Sequence, residues 1–298
     1  MMGGIDVSKR LAAALVALCL TIGLPGTASG AGASAPPVSG AGAGHAPQFN
    51  PPKGYYLALG DSIPHGHMFV DGVPTRTSYV YRLGERLRAI RPDLTVVNFG
   101  CSGESTATFL HGGCPMAVLG LPLQDPFEGP QLDAAVAFLH QHPGDVSPIT
   151  ITLGGGDLRE LLQACNYDFA CIGPRVPAAI ATFTANLAAI LDRLRAEAPD
   201  AEIIVTGMWN SSTDGFDVGD PLIMQTNRAM ATVVAGQRAR FADPFPVFNP
   251  QGDPAAELAA ICHLTLLCTD GDTHPSAAGH EALAGLVFAA SGYGRLGQ

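Results

Sequence analysis

Charged residues are scarce in this 298-residue chain, at 14% of the sequence, and basic residues are scarcer than acidic ones. The 16 Lys and Arg against 26 Asp and Glu leave a formal net charge of −10, which disfavours a protein that holds phosphates by counterion release. We therefore expect no nucleic-acid partner. The chain also lacks a Gly-x-x-x-x-Gly-Lys-Ser/Thr sequence, which makes a nucleotide-binding module the weakest functional alternative. With 47% hydrophobic residues, the composition is typical of one domain with a large core.

A long unbroken apolar run is missing from the amino terminus. The apolar run covers residues 11–20 and continues only weakly to Leu24, whereas a membrane-spanning helix needs about 18 or more apolar residues. Two basic residues precede the run and small residues follow it, which is the pattern of a secretory signal peptide. We therefore assign 1–30 to a signal peptide, 31–52 to a flexible leader rich in Ala, Gly and Pro, and 53–298 to the folded domain. The mature protein is expected to be secreted, without stable membrane insertion.

The cysteines lack the C-x-x-C spacing of zinc sites, so we expect no metal and no cofactor. Outside the signal peptide there are six cysteines, and an even number favours disulfide bonds in an exported chain. Several connectivities are formally open. We predict bonds between sequential cysteines, namely Cys101 with Cys114, Cys165 with Cys171, and Cys262 with Cys268.

Strand-like and helix-like segments alternate along the chain. Short apolar segments predict strands over 55–59, 94–99, 149–153 and 203–206, with a weak fifth strand near Val247. Helical spacing predicts helices over 78–90, 131–141, 176–194, 221–240 and 276–290, the last one capped by Ser276. Because parallel strands need crossover connections, this order predicts a three-layer α/β/α sandwich around a mainly parallel sheet of about five strands.

The residues that could carry chemistry follow the predicted strands. Gly60-Asp61-Ser62 comes directly after the first strand, while Asp272-Thr273-His274-Pro275-Ser276 opens the last helix. Between them, Asn98-Phe99-Gly100-Cys101-Ser102-Gly103 and Gly154-Gly155-Gly156-Asp157 follow the second and third strands. A serine after a strand is commonly only a turn or cap residue, and a histidine before proline can merely shape a turn. Ligands of such sheets nevertheless bind beyond the carboxyl ends of the strands, where all four segments would meet.

This set of segments resembles the SGNH hydrolases, also called the GDSL esterase/lipase family, from Tyr55 to nearly the end of the chain. The resemblance implies a flavodoxin-like fold and a secreted serine esterase or lipase that acts on small-molecule, lipid or glycan acyl esters. It implies Ser62 as the nucleophile and His274 as the general base. It also implies that the backbone N–H groups of Ser62 and Gly103 stabilise the oxyanion. Because the base must be neutral, activity is expected to rise with pH as the imidazole loses its proton.

Gly156 departs from the family pattern. The third block normally reads Gly-x-Asn-Asp, and its Asn side chain donates to the oxyanion, but Gly156 occupies that position here. Loss of one such donor typically lowers kcat by about 10² to 10³. A backbone N–H near Gly156, Asn98 or Asn210 could replace it. Otherwise the enzyme is slow, or the chain is a catalytically impaired binding protein of this fold.

The acid that orients the histidine also departs from the pattern, since Gly271 stands three residues before His274. The imidazole needs an acceptor for its Nδ1 proton. We favour Asp272 as that acceptor, with the Gly271 carbonyl as the second candidate and Asp270 as the third.

His65-Gly66-His67 raises the question of a metal, but only Asp71 lies near it in the sequence, so we interpret it as a loop lining the substrate entrance. Trp209 and Asn210 end the fourth strand and could contact substrate, although Trp209 could equally belong to the core. The apolar loop 116–130 could face lipid or pack on the sheet. We expect a monomer.

Overall fold

The computed structural model describes residues 49–66, 69–70, 73–212 and 216–296. The predicted signal peptide and most of the predicted leader lie outside these residues. The described part begins in contact with the domain, because Asn50 is buried and its N–H donates to Glu202 Oε2 over 2.9 Å. The ring of Phe49 packs edge-on against Tyr293.

The centre of the fold is a five-stranded parallel sheet with the order β4-β1-β5-β6-β7. Two small antiparallel pairs, β2 with β3 and β8 with β9, lie outside it. The strands are β1 Tyr55–Gly60, β2 Phe69–Val70, β3 Val73–Pro74, β4 Thr95–Asn98, β5 Val146–Thr152, β6 Ile203–Thr206, β7 Arg240–Ala242, β8 Thr265–Leu266 and β9 Asp272–Pro275.

Helices cover both faces of this sheet, so the predicted three-layer α/β/α sandwich is confirmed. They are α1 Ser62–His65, α2 Tyr79–Arg88, α3 Thr106–His111, α4 Pro115–Val118, α5 Gln131–Gln141, α6 Gly155–Ala164, α7 Phe169–Glu197, α8 Phe216–Gly236, α9 Phe245–Phe248, α10 Pro254–Leu264, α11 Leu267–Asp270 and α12 Ala277–Ser291.

The two cores follow from the alternation of side chains along the strands. In β1, Leu57 and Leu59 point to one face, where they join a core formed with α5 and α7. Tyr56 and Ala58 point to the other face and pack with residues of α2 and α12. Since both faces of the strand are buried, β1 is a continuous apolar run, as expected for a central parallel strand.

Helix α7 carries its apolar residues at helical spacing, and those in its carboxyl-terminal half are buried in the core beside the sheet. Among the described residues, it is the one helix long and apolar enough to cross a membrane by length and composition. Its buried core residues are Phe183, Leu187, Ile190, Leu191 and Leu194.

The weak fifth strand predicted near Val247 was wrong. Val247 lies in the short helix α9, and the fifth strand is β7, whose first residue, Arg240, was predicted to end a helix. Helix α8 ends earlier, at Gly236. The strand escaped detection because it is only three residues long and begins with a charged residue. Arg240 is accommodated there because its Nε lies 2.5 Å from the buried carboxylate Oε1 of Glu202, which precedes the neighbouring strand.

The six cysteines pair as predicted, each with its sequence neighbour. The Cα atoms are 6.4 Å apart in Cys101–Cys114, 5.5 Å in Cys165–Cys171 and 5.1 Å in Cys262–Cys268. All three bonds close short stretches of chain, so each one fixes a local loop.

Candidate active site

Ser62 lies at the carboxyl end of the central strand, on a turn that requires glycine. Gly60 has a φ of +126°, and a Cβ atom there would lie 1.9 Å from the carbonyl oxygen of Thr152 on the neighbouring strand. The Asp61 N–H donates to the same Thr152 oxygen over 3.0 Å. The Asp61 carboxylate in turn accepts the N–H of Ile63 and caps α1. Ser62 is therefore the first helical residue after a rigidly held turn.

Gln131 stabilises this turn through hydrogen bonds to the backbone of Gly60. Its Oε1 accepts the Gly60 N–H over 2.6 Å, and its Nε2 donates to the Gly60 carbonyl over 3.0 Å. The same Nε2 donates to Glu104 Oε2 over 2.8 Å. The buried side-chain amide of Gln131 thus binds both backbone groups of Gly60. Sequence reasoning missed this residue, because a glutamine at the start of a helix carries no signal for such a role.

His274 is held by the β8–β9 pair, which packs against α1. Asp272 Oδ1 accepts the backbone N–H of His274 over 3.0 Å and lies 2.5 Å from His274 Nδ1. Asp270 is exposed, and its carboxylate accepts the hydroxyl of Thr269. Of the three predicted acceptors, the Asp272 carboxylate is thus the one in hydrogen-bond contact with the ring, which leaves Nε2 on its opposite side.

Gly103 follows β4 in a loop fixed at both ends. The Cys101 N–H donates to the Gly60 carbonyl over 2.9 Å, and the disulfide to Cys114 closes the loop. Gly103 has a φ of +90°, and a Cβ atom there would lie 3.0 Å from Pro115 Cγ. Both the conformation and the close approach of Pro115 therefore favour glycine at this position.

A cavity of about 530 Å³ brings these segments together at the carboxyl edge of the sheet. Ser62, Gly103, Gly156 and His274, which are far apart in the sequence, all line it. Its apolar wall is formed by Ile63, Leu153, Leu158, Leu162, Met208 and Trp209. The structure thus gathers the nucleophile, oxyanion and base candidates around one space large enough for a small ester.

Gly156 cannot carry a side chain into this cavity. A Cβ atom at Gly156 would lie 2.0 Å from the backbone carbonyl oxygen of Glu104. Gly155 differs, because it is exposed and its hypothetical Cβ would meet only Asp61 Oδ2, at 3.4 Å. A side chain at position 155 would therefore have space beside the nucleophile turn, whereas one at position 156 would displace backbone.

Neither asparagine considered as a replacement donor is among the described residues that line the cavity, and both bind elsewhere. Asn98 is buried, where its Nδ2 donates to the Pro64 carbonyl over 2.7 Å and its Oδ1 accepts the Gly100 N–H. Asn210 donates to Asp220 Oδ1 over 2.8 Å. Trp209, by contrast, lines the cavity and stacks on Phe248 with ring centroids 4.6 Å apart.

The predicted entrance loop at residues 65–67 was wrong for His65, because this residue is buried. Its Nε2 lies 3.3 Å from the carbonyl oxygen of Pro122. His67 and Asp71 lie outside the described residues. Within the described part, one group of metal-binding side chains clusters, namely Cys101, Glu104 and Cys114, but the two cysteines are joined by a disulfide and offer no thiolate.

The carboxyl groups of Asp61 and Glu104 are buried, and that of Asp157 is half-buried. Burial is the main cause that raises the pKa of Asp61 to about 7; the charges of Asp157 and Glu104 contribute to the rise, and the hydrogen bond from the Ile63 N–H opposes it. Burial also raises the pKa of Glu104 to about 7, and it raises the pKa of Asp157. These carboxyl groups therefore hold protons at pH values where exposed ones are ionised.

A second, smaller cleft adjoins this cavity. It has a volume of about 50 Å³ between α6, α7 and α8, and its lining is almost entirely apolar. Leu158 and Met208 border both spaces. Leu158 therefore lies between the candidate active site and an apolar cleft.

In this fold, a serine, a histidine and several glycines that are far apart in the sequence line one cavity at the carboxyl edge of the parallel sheet. A model of the GDSL-like Lipase/Acylhydrolase family matches residues 58–282, and the chain belongs to that family. The resemblance inferred from the motifs is thereby confirmed. No curated protein matches the chain.

Several solved structures share the fold. An extracellular lipase from Streptomyces rimosus has 18% identity and a TM-score of 0.56, covering 79% of this chain and 99% of its own. A lipase from a goat rumen metagenome has 21% identity and a TM-score of 0.57, covering 81% and 99%. An acetylxylan esterase from Geobacillus stearothermophilus has 20% identity and a TM-score of 0.52, covering 82% and 97%. At these identities the likeness concerns the fold.

Proposed function

We propose that this chain is a secreted serine esterase that hydrolyses carboxylic acyl esters through an acyl-enzyme on Ser62. The observation that carries the proposal is the convergence of Ser62, Gly103 and His274 on one cavity, with Asp272 at the far nitrogen of the imidazole. Membership of a lipase and acylhydrolase family supports the reaction class. The three disulfides and the likeness to an extracellular lipase support secretion.

In the first half of the reaction, the Ser62 oxygen attacks the ester carbonyl while His274 Nε2 takes the hydroxyl proton. The Nδ1–H of His274 donates to Asp272, which fixes the tautomer and stabilises the imidazolium. The tetrahedral intermediate then breaks its bond to the alcohol oxygen, which leaves with the proton from His274. Water repeats the sequence on the acyl-enzyme and releases the carboxylic acid.

The oxyanion is stabilised in this proposal by the backbone N–H groups of Ser62 and Gly103. The Asn98 and Asn210 side chains bind elsewhere, so neither restores the donor that the family pattern places at position 156. A backbone N–H at the start of α6, near Gly156, is the remaining candidate. Because the oxyanion then has fewer hydrogen-bond donors, we expect a lower kcat than in an enzyme that has the asparagine.

The substrate class is proposed from the cavity and from the neighbours. The cavity has an apolar wall and the volume of a small ester. The neighbours include lipases and an acetylxylan esterase, so short acyl esters of small molecules, glycans or lipids are the substrates to test.

Hydrolysis of p-nitrophenyl acetate by the purified mature chain tests the proposal. We expect Ser62→Ala to abolish turnover, while Ser211→Ala, which alters another serine of the cavity wall, retains it. Equal rates in wild type and Ser62→Ala would refute the esterase and favour the alternative, a binding protein of this fold that has lost its catalytic activity.

The missing donor is tested by placing asparagine at two adjacent positions. Gly155→Asn has space for its side chain and is expected to raise kcat by up to about 10²-fold if the amide reaches the oxyanion. Gly156→Asn should instead lower stability, since its Cβ meets the Glu104 carbonyl. If Gly156→Asn is the faster and equally stable variant, this account of the oxyanion hole is wrong.

A further inference from the structure

Arg159 places a positive charge in the wall of the catalytic cavity. It lies one helical turn after Gly155 in α6, so both residues are on the same face of the helix. Its Nη2 donates to the Gly103 carbonyl over 2.9 Å, and its Nη1 comes within 3.1 Å of the position of a Cβ on Gly103. The guanidinium therefore lies beside the glycine proposed to donate to the oxyanion.

The donors of this guanidinium are only partly used. An arginine carries five N–H donors, and the Gly103 carbonyl is the acceptor found for them within the described part of the chain. The Nε atom is buried without any hydrogen-bond partner there. Because a buried unpaired donor lowers stability, an additional oxygen acceptor at this position would be favourable.

The other residues that line the cavity carry little charge, unlike Arg159. Among the described residues that line the cavity, Arg159 is the one with a permanent positive charge, and its neighbours Leu158 and Leu162 are apolar. The single acid of the lining, Asp61, is buried. The whole chain has a formal net charge of −10, so its overall field repels anions. Among the described lining residues, Arg159 is therefore the permanent cation available to an anionic substrate.

We propose that Arg159 forms a subsite for an anionic group, a carboxylate or phosphate, carried by the ester substrate. The proposal rests on the esterase function proposed above and narrows its substrate class. A planar guanidinium with free N–H groups binds two oxygens of a carboxylate or phosphate side by side, which neutral groups cannot match. The anionic group lies on either the acyl or the alcohol part of the ester, and the two positions require separate tests.

Two pairs of esters distinguish these positions. Mono-p-nitrophenyl succinate is compared with p-nitrophenyl pentanoate for the acyl side, and 4-acetoxybenzoate with its neutral methyl ester for the alcohol side. Wild type is expected to favour the anionic member of one pair. In Arg159→Gln, kcat/KM for that member should fall by roughly 10- to 100-fold, mainly through KM, with a change below about threefold for the neutral partner. Arg159→Lys should retain part of the preference.

Arg175→Gln is the matched control, because Arg175 is an exposed arginine on α7 and its removal changes the net charge equally. Added salt should weaken the preference of wild type for the anionic ester, since ions screen the attraction between Arg159 and the anionic group of the substrate. Equal losses on anionic and neutral esters would overturn the proposal and indicate that Arg159 only holds Gly103 in place. The absence of any anionic preference in wild type would also overturn it.

If the chain is not an esterase at all, the same experiments give a different result. In that case Ser62→Ala and wild type hydrolyse all four esters at the same background rate. The subsite is then tested by binding, using the rise in Tm caused by succinate and by inorganic phosphate. A rise in wild type and Arg175→Gln that is lost in Arg159→Gln supports the subsite, and an equal rise in all three chains refutes it.

Discussion

Replacement of Asp61 by asparagine is expected to flatten the pH dependence of stability. The carboxyl group has a pKa near 7 in the folded protein, because it is buried beside other acids, and an ordinary value of 3.8 when unfolded. Between these values the folded chain keeps a proton that the unfolded chain releases. The free energy of unfolding of wild type therefore falls as the pH rises through this window, and the stabilising contribution is lost above about pH 7.

The size of the effect follows from the separation of the two pKa values. One pKa unit corresponds to about 1.4 kcal/mol, so the part of the window above pH 5 amounts to about 2 to 3 kcal/mol for Asp61. In a domain of this size that shift changes Tm by roughly 5 to 10 °C. Glu104, whose pKa is also raised to about 7, adds to the slope and remains in the variant.

Thermal unfolding of wild type and Asp61→Asn between pH 5 and pH 8 measures this difference. The asparagine retains an oxygen that can accept the Ile63 N–H, so the cap of α1 is kept. Any remaining loss of packing shifts Tm equally at every pH, whereas loss of the titrating carboxyl group changes how steeply Tm depends on pH. Asp192→Asn, an exposed aspartate on α7, is the control and should follow wild type. Parallel curves for Asp61→Asn and wild type would show that Asp61 is already ionised at pH 5 in the folded protein, contrary to this reasoning.

Three further outcomes are expected. Asp272→Asn should lower kcat by roughly 10²- to 10⁴-fold with little change in KM, because the amide cannot stabilise the imidazolium; steady-state kinetics measure this, and an unchanged kcat contradicts it. Leu158→Ala should join the catalytic cavity to the apolar cleft, so kcat/KM for p-nitrophenyl octanoate should rise relative to the acetate; an unchanged ratio would show that acyl chains do not enter the cleft. Loss of the Cys101–Cys114 disulfide through a double alanine variant should lower the free energy of unfolding in urea by about 3 kcal/mol and also reduce kcat, since its loop carries Gly103; the equivalent Cys165–Cys171 variant serves as control, and equal kcat values in both variants would show that the Cys101–Cys114 loop does not position Gly103 for catalysis.

The sequence predicted those parts of the fold whose signals are local. The strand 203–206 and the helix 131–141 have the predicted bounds, and Ser276 caps α12 by accepting the Gly279 N–H. Strand β7 was missed because three residues beginning with an arginine show no apolar periodicity. What makes it a strand is its pairing with β6, which is a tertiary contact.

In the candidate site, too, residues within local motifs could be predicted, whereas residues that act through tertiary contacts could not. Ser62 and His274 could be singled out because short motifs surround them, and the structure places both on one cavity. Gln131 and Arg159 act across long separations in the chain, so nothing near them in the sequence indicates their contacts with Gly60 and Gly103.

The position of β9 beside α1 has a consequence for biosynthesis. The serine turn forms around the earliest strand of the sheet, whereas the imidazole arrives on the last strand, just before the final helix. A nascent chain that has not yet emerged beyond β8 lacks His274, the base of the proposed mechanism. Under the proposed mechanism, we therefore expect such a fragment to hydrolyse no ester at Ser62.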